Sequence, residues 1–163
     1  MVSGQMVIYE EEHHQLAEIC DNLVRDALAK AIFIVDQDGQ LVTATGETGG
    51  IDTTGLASLI AGSTAATGGL AEMLGEEEFP VHFHEGKENH LHVSSIRGVL
   101  ILVVIFDERS SLGLVRLRVK KAYNQIEQVL DQLDEKAAKG EQDMDIFGEI
   151  TDDDIDSLFN DTF

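Results

Sequence analysis

Val99 to Phe106 reads VLILVVIF, an unbroken apolar run rich in β-branched side chains. It is far too short to span a bilayer and too continuous for a half-exposed strand, so it is expected as a central strand buried on both faces of a sheet. Two shorter segments precede it, Phe79 to His84 and His90 to Ile96, on either side of Glu85-Gly86-Lys87-Glu88-Asn89. They read as a hairpin leading into the buried strand. Beyond it, Val115, Val119, Ala122, Ile126, Val129 and Leu133 recur at steps of four and three, with Arg116, Lys120, Asn124, Glu127 and Asp131 on other faces. That pattern predicts an amphipathic helix from Leu114 to about Ala138, ended by Lys139-Gly140.

Toward the N-terminus, Asp52, Thr53 and Thr54 offer capping oxygens before a second helical pattern, expected from Gly55 to Leu74 and closed by Gly75. Leu56, Leu59, Ile60, Leu70 and Leu74 are its expected core-facing stripe. Further back, Ala31 to Val35 and Leu41 to Thr45 flank the turn signal Asp36-Gln37-Asp38-Gly39 and read as another hairpin. Leu16, Ile19, Cys20, Leu23, Val24 and Ala27 predict a first helix from Glu10 to Ala29. The order helix, two strands, helix, three strands, helix gives a three-layer α/β (α+β) sandwich with a five-stranded, mostly antiparallel sheet. Residues 1–138 form the expected domain, 139–150 a linker, and 151–163 an acidic amphipathic docking tail.

The net charge of -20 is carried by 31 acidic against 11 basic residues. Such a surface repels phosphate backbones and anionic lipid, which argues against nucleic acid or membrane as partner. A single cysteine, Cys20, excludes an internal disulfide framework, and the start MVSGQMVIYEEE lacks the marks of a secretory leader. A cytoplasmic protein is expected. From Glu141 to Phe163 there are nine acidic residues and no Lys or Arg, with Ile150, Ile155, Leu158, Phe159 and Phe163 interspersed, the composition of a tethered docking peptide.

The second helix is the odd element, because Gly55, Gly62, Gly68 and Gly69 lie in it and an interior glycine costs about 1 kcal/mol relative to alanine. Ala57, Ala61, Ala65 and Gly69 repeat every fourth residue and make one side shallow enough for another backbone to approach. Tight packing on the chain's own sheet would explain this, and so would a partner interface. With the larger residues assigned to the core, the interface is favoured.

A hairpin centred near Lys87 would set His84 opposite His90 and His82 opposite His92, four imidazoles on one face. Zinc or nickel could in principle sit there, but no supporting carboxylate can be assigned, and the favoured expectation is a polar strand face without metal. His13 and His14 are expected in solvent, and Cys20 as a small buried hydrophobe. No nucleophile elbow, P-loop, dinucleotide glycine pattern or zinc-protease motif is present. Arg116, Arg118, Lys120 and Lys121 form the basic cluster, expected to neutralise nearby carboxylates or the tail, with partner docking as the minority reading. Arg97 or Arg109 could serve as an arginine finger, though position alone selects neither.

Four stretches together, IDTTGLASLIAGSTAATGGLAEMLGEEEF (Ile51 to Phe79), FHEG (Phe83 to Gly86), VLILVVIFDERSSLGLVRLRVKKA (Val99 to Ala122) and EITDDDIDSLF (Glu149 to Phe159), resemble the bacterial Roadblock/dynein light chain family. The resemblance covers nearly the whole chain, and the tail makes it more specific. It implies a homodimer joined through the second helix and the following strand. That dimer would be a GTPase-activating protein for a Ras-like small GTPase of the MglA type, bound as two subunits to one GTPase. It would have no cofactor, no metal and no catalytic residues of its own. The GTPase would supply its own arginine and glutamine, and docking would remodel its switch region. Ala61, Thr64, Ala65, Gly68 and Gly69 are the implied GTPase-binding residues. Ile155, Leu158 and Phe159 are implied to dock on a second GTPase surface associated with nucleotide exchange. A role in cell polarity and gliding motility, at a cell pole, is implied as well. The alternative is a non-catalytic scaffold or adaptor of the same fold.

Overall fold

The computed structural model describes residues 6–148. Its elements are α1 (Glu10–Asp26), β1 (Ala31–Asp36), β2 (Leu41–Gly46), α2 (Thr53–Met73), β3 (Val81–Glu85), β4 (His90–Ile96), β5 (Leu100–Phe106) and α3 (Leu112–Gly148). The strands form one sheet in the order β2-β1-β5-β4-β3, with every neighbouring pair antiparallel. The apolar run that decides the fold becomes β5, central in the sheet and buried along its whole length.

Period-two alternation divides the core in two. Ile32, Ile34, Leu102 and Val104 face α1 and α3, which bring down Leu16, Cys20, Leu23, Val115, Val119 and Ile126. Ala31, Phe33, Val35, Val93 and Val103 face the other way and meet α2 through Ala57 and Ile60. Fully burying a large apolar side chain contributes about 1.5–3 kcal/mol, so the α1–α3 layer is held by many such terms and α2 by few. Lys136 of α3 ion-pairs with the buried carboxylate of Glu12 and lies over the Tyr9 ring, which ties the start of α1 to α3.

Two helix ends differ from expectation. Helix α1 stops at Asp26, three residues early, because Leu28 turns left-handed (φ 51°) and the Ala29 N–H reaches back to the Val24 carbonyl at 3.0 Å. Ala27 and Ala29 remain buried beyond the helix, so the apolar pattern outlasts the helical backbone. Helix α3 continues through residues 139–148, which the sequence suggested as linker. One interior glycine, Gly140, costs about 1 kcal/mol, and its flanks (Ala137, Ala138 and Lys139; Glu141 and Gln142) are strong helix formers that offset it.

Two tight turns seat the layers. In the β4–β5 hairpin the Val99 N–H donates to the Ile96 carbonyl at 3.0 Å across Arg97 (φ 53°) and Gly98 (φ 62°), a two-residue turn with both central residues left-handed. Gly39, at φ 88° in the β1–β2 turn, lies so close to α2 that a Cβ there would stand 3.2 Å from the Ser58 Cα.

Candidate functional site

Helix α2 begins where the Asp52 carboxylate accepts from the Gly55 N–H at 3.0 Å. Ala57, Ile60 and Ala71 are its buried residues. Leu59, Leu70, Met73 and Leu74 are instead exposed, Leu59 at 74% and Met73 at 84%. The expectation that Leu59, Leu70 and Leu74 belong to the core-facing stripe is therefore corrected. The sheet below already fills its face with Phe33, Val35 and Val103, and the Gly39 turn draws the helix close, so only Ala57, Ile60 and Ala71 pack down and Leu59, Leu70, Met73 and Leu74 point out. At 100° per residue, Leu59, Gly62, Ala66, Leu70 and Met73 fall within about 80° of arc, an apolar ridge with a glycine and an alanine in the middle.

Of the expected partner-contacting residues, Gly69 flanks this ridge about 60° from Ala66 and Ala65 lies about 100° round, while Ala61, Thr64 and Gly68 lie about 140–160° round, toward the sheet. Ala65, Gly68 and Gly69 are exposed, and Ala61 and Thr64 are half-buried. Ala61, Thr64, Ala65 and Gly68 line one cavity of about 260 Å³, walled by Ile101, Gly98 and Phe79. Gly69 stands outside it. The Thr64 hydroxyl oxygen is buried without a hydrogen-bond partner among the described residues, an arrangement that costs roughly 1–3 kcal/mol until water or a partner answers it. A Cβ built on Gly62, Gly68 or Gly69 would meet nothing within 4 Å. No contact among the described residues requires those glycines, so tight packing on the chain's own sheet does not explain them. Sequence reasoning missed the outward ridge, whose signal was its 3-4-4-3 spacing.

Both candidate arginines are engaged. Arg97 donates to Asp131 at 2.6 Å and to Glu127 at 3.0 Å, pinning the β4–β5 turn to α3. Those two carboxylates, Asp131 first, raise its pKa further. Arg109 donates to Asp107 and Glu47, and its guanidinium holds both carboxyls below the usual range. Arg116, Arg118, Lys120 and Lys121 are exposed and enter no ion pair among the described residues, so the nearby-carboxylate expectation is not met by those residues.

The histidine square is not formed. The observed partners are His82 with Val93, His84 with Leu91, Phe83 with His92, and Glu85 with His90. This register is one residue from the expected one and sends His82 and His84 to the α2 side, His90 and His92 to the α1–α3 side. The cause is a four-residue turn, Gly86 to Asn89, tight enough that a Cβ on Gly86 would lie 2.2 Å from the Asn89 carbonyl oxygen. Among the described residues no group of three or more His, Cys, Asp or Glu is placed to hold a metal ion. Burial pushes His92 below the ordinary histidine range, with Arg116 and His82 adding to it, and burial followed by His84 does the same to His82. Burial, then the Asp21 charge, pushes the Cys20 thiol up to about 12. Ile155, Leu158 and Phe159 lie outside the described residues. Among the described residues no helix is long and apolar enough to cross a membrane.

An antiparallel sheet ordered 2-1-5-4-3, covered by a helix pair on one face and by one outwardly apolar helix on the other, defines a Roadblock-type α/β domain. The Roadblock/LC7 domain model matches residues 15–106, and the chain belongs to that family. Among solved structures it is similar to Myxococcus xanthus MglB, at 51% identity and TM-score 0.75 over 78% of this chain and 96% of that one. The gliding protein MglB from Thermus thermophilus is 28% identical, at TM-score 0.73 over 80% and 99% of the two chains. An MglB solved in a tetrameric arrangement is 27% identical, at TM-score 0.74 over 81% and 99%. Comparison with curated proteins returns no match.

Proposed function

We propose that this chain is a non-enzymatic regulator that accelerates GTP hydrolysis by a Ras-like small GTPase of the MglA type. It acts as a homodimer joined through α2, two subunits to one GTPase. The observation that carries this reading is the outer half of α2, where glycines that no contact among the described residues requires stand beside exposed Leu59, Leu70 and Met73. Two arcs of the helix divide the work. The Leu59-Gly62-Ala66-Leu70-Met73 ridge meets the second copy, and Gly69 and Ala65 at its flank, with Ala61, Thr64 and Gly68 further round along the cavity, meet the GTPase. The likeness to MglB, one example of which is solved as a tetramer, supports assembly into oligomers.

With Arg97 and Arg109 held by carboxylates, activation works through selective binding: the dimer prefers the GTPase conformation whose own arginine and glutamine reach the developing phosphate charge. The tail around Ile155, Leu158 and Phe159 grips a second surface of the GTPase and assists nucleotide exchange. Polarity and gliding motility are the processes such a regulator serves, in the cytoplasm and at a cell pole.

The test is a multiple-turnover GTPase assay with the native chain and Ala65→Arg. The variant keeps its oligomeric state and loses stimulation, because a guanidinium at that arc blocks close approach. Unchanged stimulation by the variant removes the site assignment. A native chain that binds the GTPase yet leaves the rate at its intrinsic value is an adaptor instead.

A further inference from the structure

The outer face of α3 carries positive charge that no carboxylate answers among the described residues, in a chain of net charge -20. Arg116, Arg118, Lys120 and Lys121 are all exposed without an ion pair among the described residues, whereas Arg97, Arg109 and Lys136 each meet carboxylates. Among the cations Leu117 is 61% exposed. At 100° per residue it points away from buried Val115, Val119 and Ile126, with Lys120 and Lys121 one turn on and about 60° and 40° to either side. The surface is a single apolar knob between cations. It fits an acidic segment with apolar side chains spaced along it.

The chain contains that segment. Residues 149–163 read EITDDDIDSLFNDTF, with six carboxylates, no cation, and Ile150, Ile155, Leu158 and Phe159 among them. Reach decides which copy supplies it. Helix α3 runs to Gly148, so the tail begins about 46 Å along the axis from Leu117 at 1.5 Å per residue. Asp154, six residues further, can return at most about 21 Å as extended chain. The acidic centre of the tail cannot meet the ridge of its own helix, and a tail arriving from another molecule has no such limit. We infer that the Arg116–Lys121 ridge of α3 docks the acidic tail of a second copy of this chain, and two copies can exchange tails symmetrically. This does not rest on the GTPase reading. While the exchange holds, Ile155, Leu158 and Phe159 are withheld from any other partner.

The full-length chain tests it with one cysteine at Asn124→Cys in one preparation and one at Asp154→Cys in another, mixed and treated with a short bismaleimide; buried Cys20 stays unreactive. An intermolecular cross-link is expected, falling about tenfold in an Arg118→Glu/Lys121→Glu background and also at about 1 M salt with the native charges. The salt arm keeps the result decisive if charge reversal disturbs folding. A chain bearing both cysteines loses the cross-link in proportion when diluted with native chain. Yields no higher than from a control cysteine at Asp38, yields indifferent to salt, or a cross-link that survives dilution each overturn the inference.

Discussion

Arg109 donates through Nη2 to a Glu47 oxygen at 2.6 Å, joining the loop that precedes α3 to the loop that precedes α2. The same nitrogen meets Asp107 at 2.9 Å. An arginine finger has to leave its own protein and reach a transferring phosphoryl group, and this one is held by two carboxylates. Arg109→Ala is therefore expected to lower stimulated GTP hydrolysis by no more than about threefold, whereas loss of a true finger costs about 10³–10⁵. Single-turnover hydrolysis with the purified variant decides it, and a hundredfold loss would put the arginine in the transition state.

Gly62 is exposed in the outward ridge, and a Cβ there meets nothing within 4 Å among the described residues. Gly62→Ala should stabilise the isolated chain by about 0.5–1 kcal/mol through helix propensity. It should also weaken self-association by roughly tenfold, because the new methyl stands where a second helix approaches. Urea unfolding at low protein concentration reads the first effect and sedimentation equilibrium the second. Tighter association in the variant would mean that the ridge is not the interface.

Element order was legible because most elements announce themselves locally: a β-branched and aromatic run before an Asp-Gly turn signal in β1, four and three residue steps in α1 and α3, and the unbroken run of β5. The inner and outer sides of α2 were not. Leu59 and Leu70 satisfy helical spacing as well as Ile60 does, and periodicity cannot tell a chain's own core from a surface meant for another molecule. Close packing of the Gly39 turn against Ser58 and Ala61 settles it, through a contact some twenty residues distant in sequence. Ala61 and Ala65 were readable from the small-residue repeat and Thr64 and Gly68 only through the family resemblance, and the structure brings these four to one cavity. Its walls, Phe79 and Gly98, come from a loop and a hairpin that no local pattern brings to α2. The histidine register failed for the reason short hairpins often do, since one residue of loop length moves every side chain to the opposite face.

His92 is buried against the α1–α3 layer, and burial holds it below the ordinary histidine pKa. An unfolded chain therefore binds a proton near pH 6.5 that the folded chain refuses. The sign follows: stability is greatest above about pH 6.5 and declines as pH falls from there toward the lower folded value. His92→Gln removes the titration, so the difference between native and variant melting temperatures should shrink from pH 7.5 to about 5.5. A difference that grows on acidification would require His92 to be charged in the fold.

Leu28 and Arg97 share a left-handed backbone, at φ 51° and 53°, yet glycine should act differently at the two. A left-handed residue with a Cβ is strained by about 1–2 kcal/mol, and glycine relieves that strain at the cost of about 0.5–1 kcal/mol in unfolded-state freedom. Leu28 is 53% exposed and caps α1 only through its backbone, its N–H reaching the Arg25 carbonyl. Leu28→Gly loses little packing and should raise Tm by about 2–4 °C. Arg97→Gly gains the same relief but forfeits the bonds to Asp131 and Glu127 that hold the β4–β5 turn on α3, so its Tm should not rise. Thermal melts of the two variants side by side check the argument. A fall in Tm for Leu28→Gly would mean that the leucine side chain, half-exposed as it is, contributes more than its backbone strain removes.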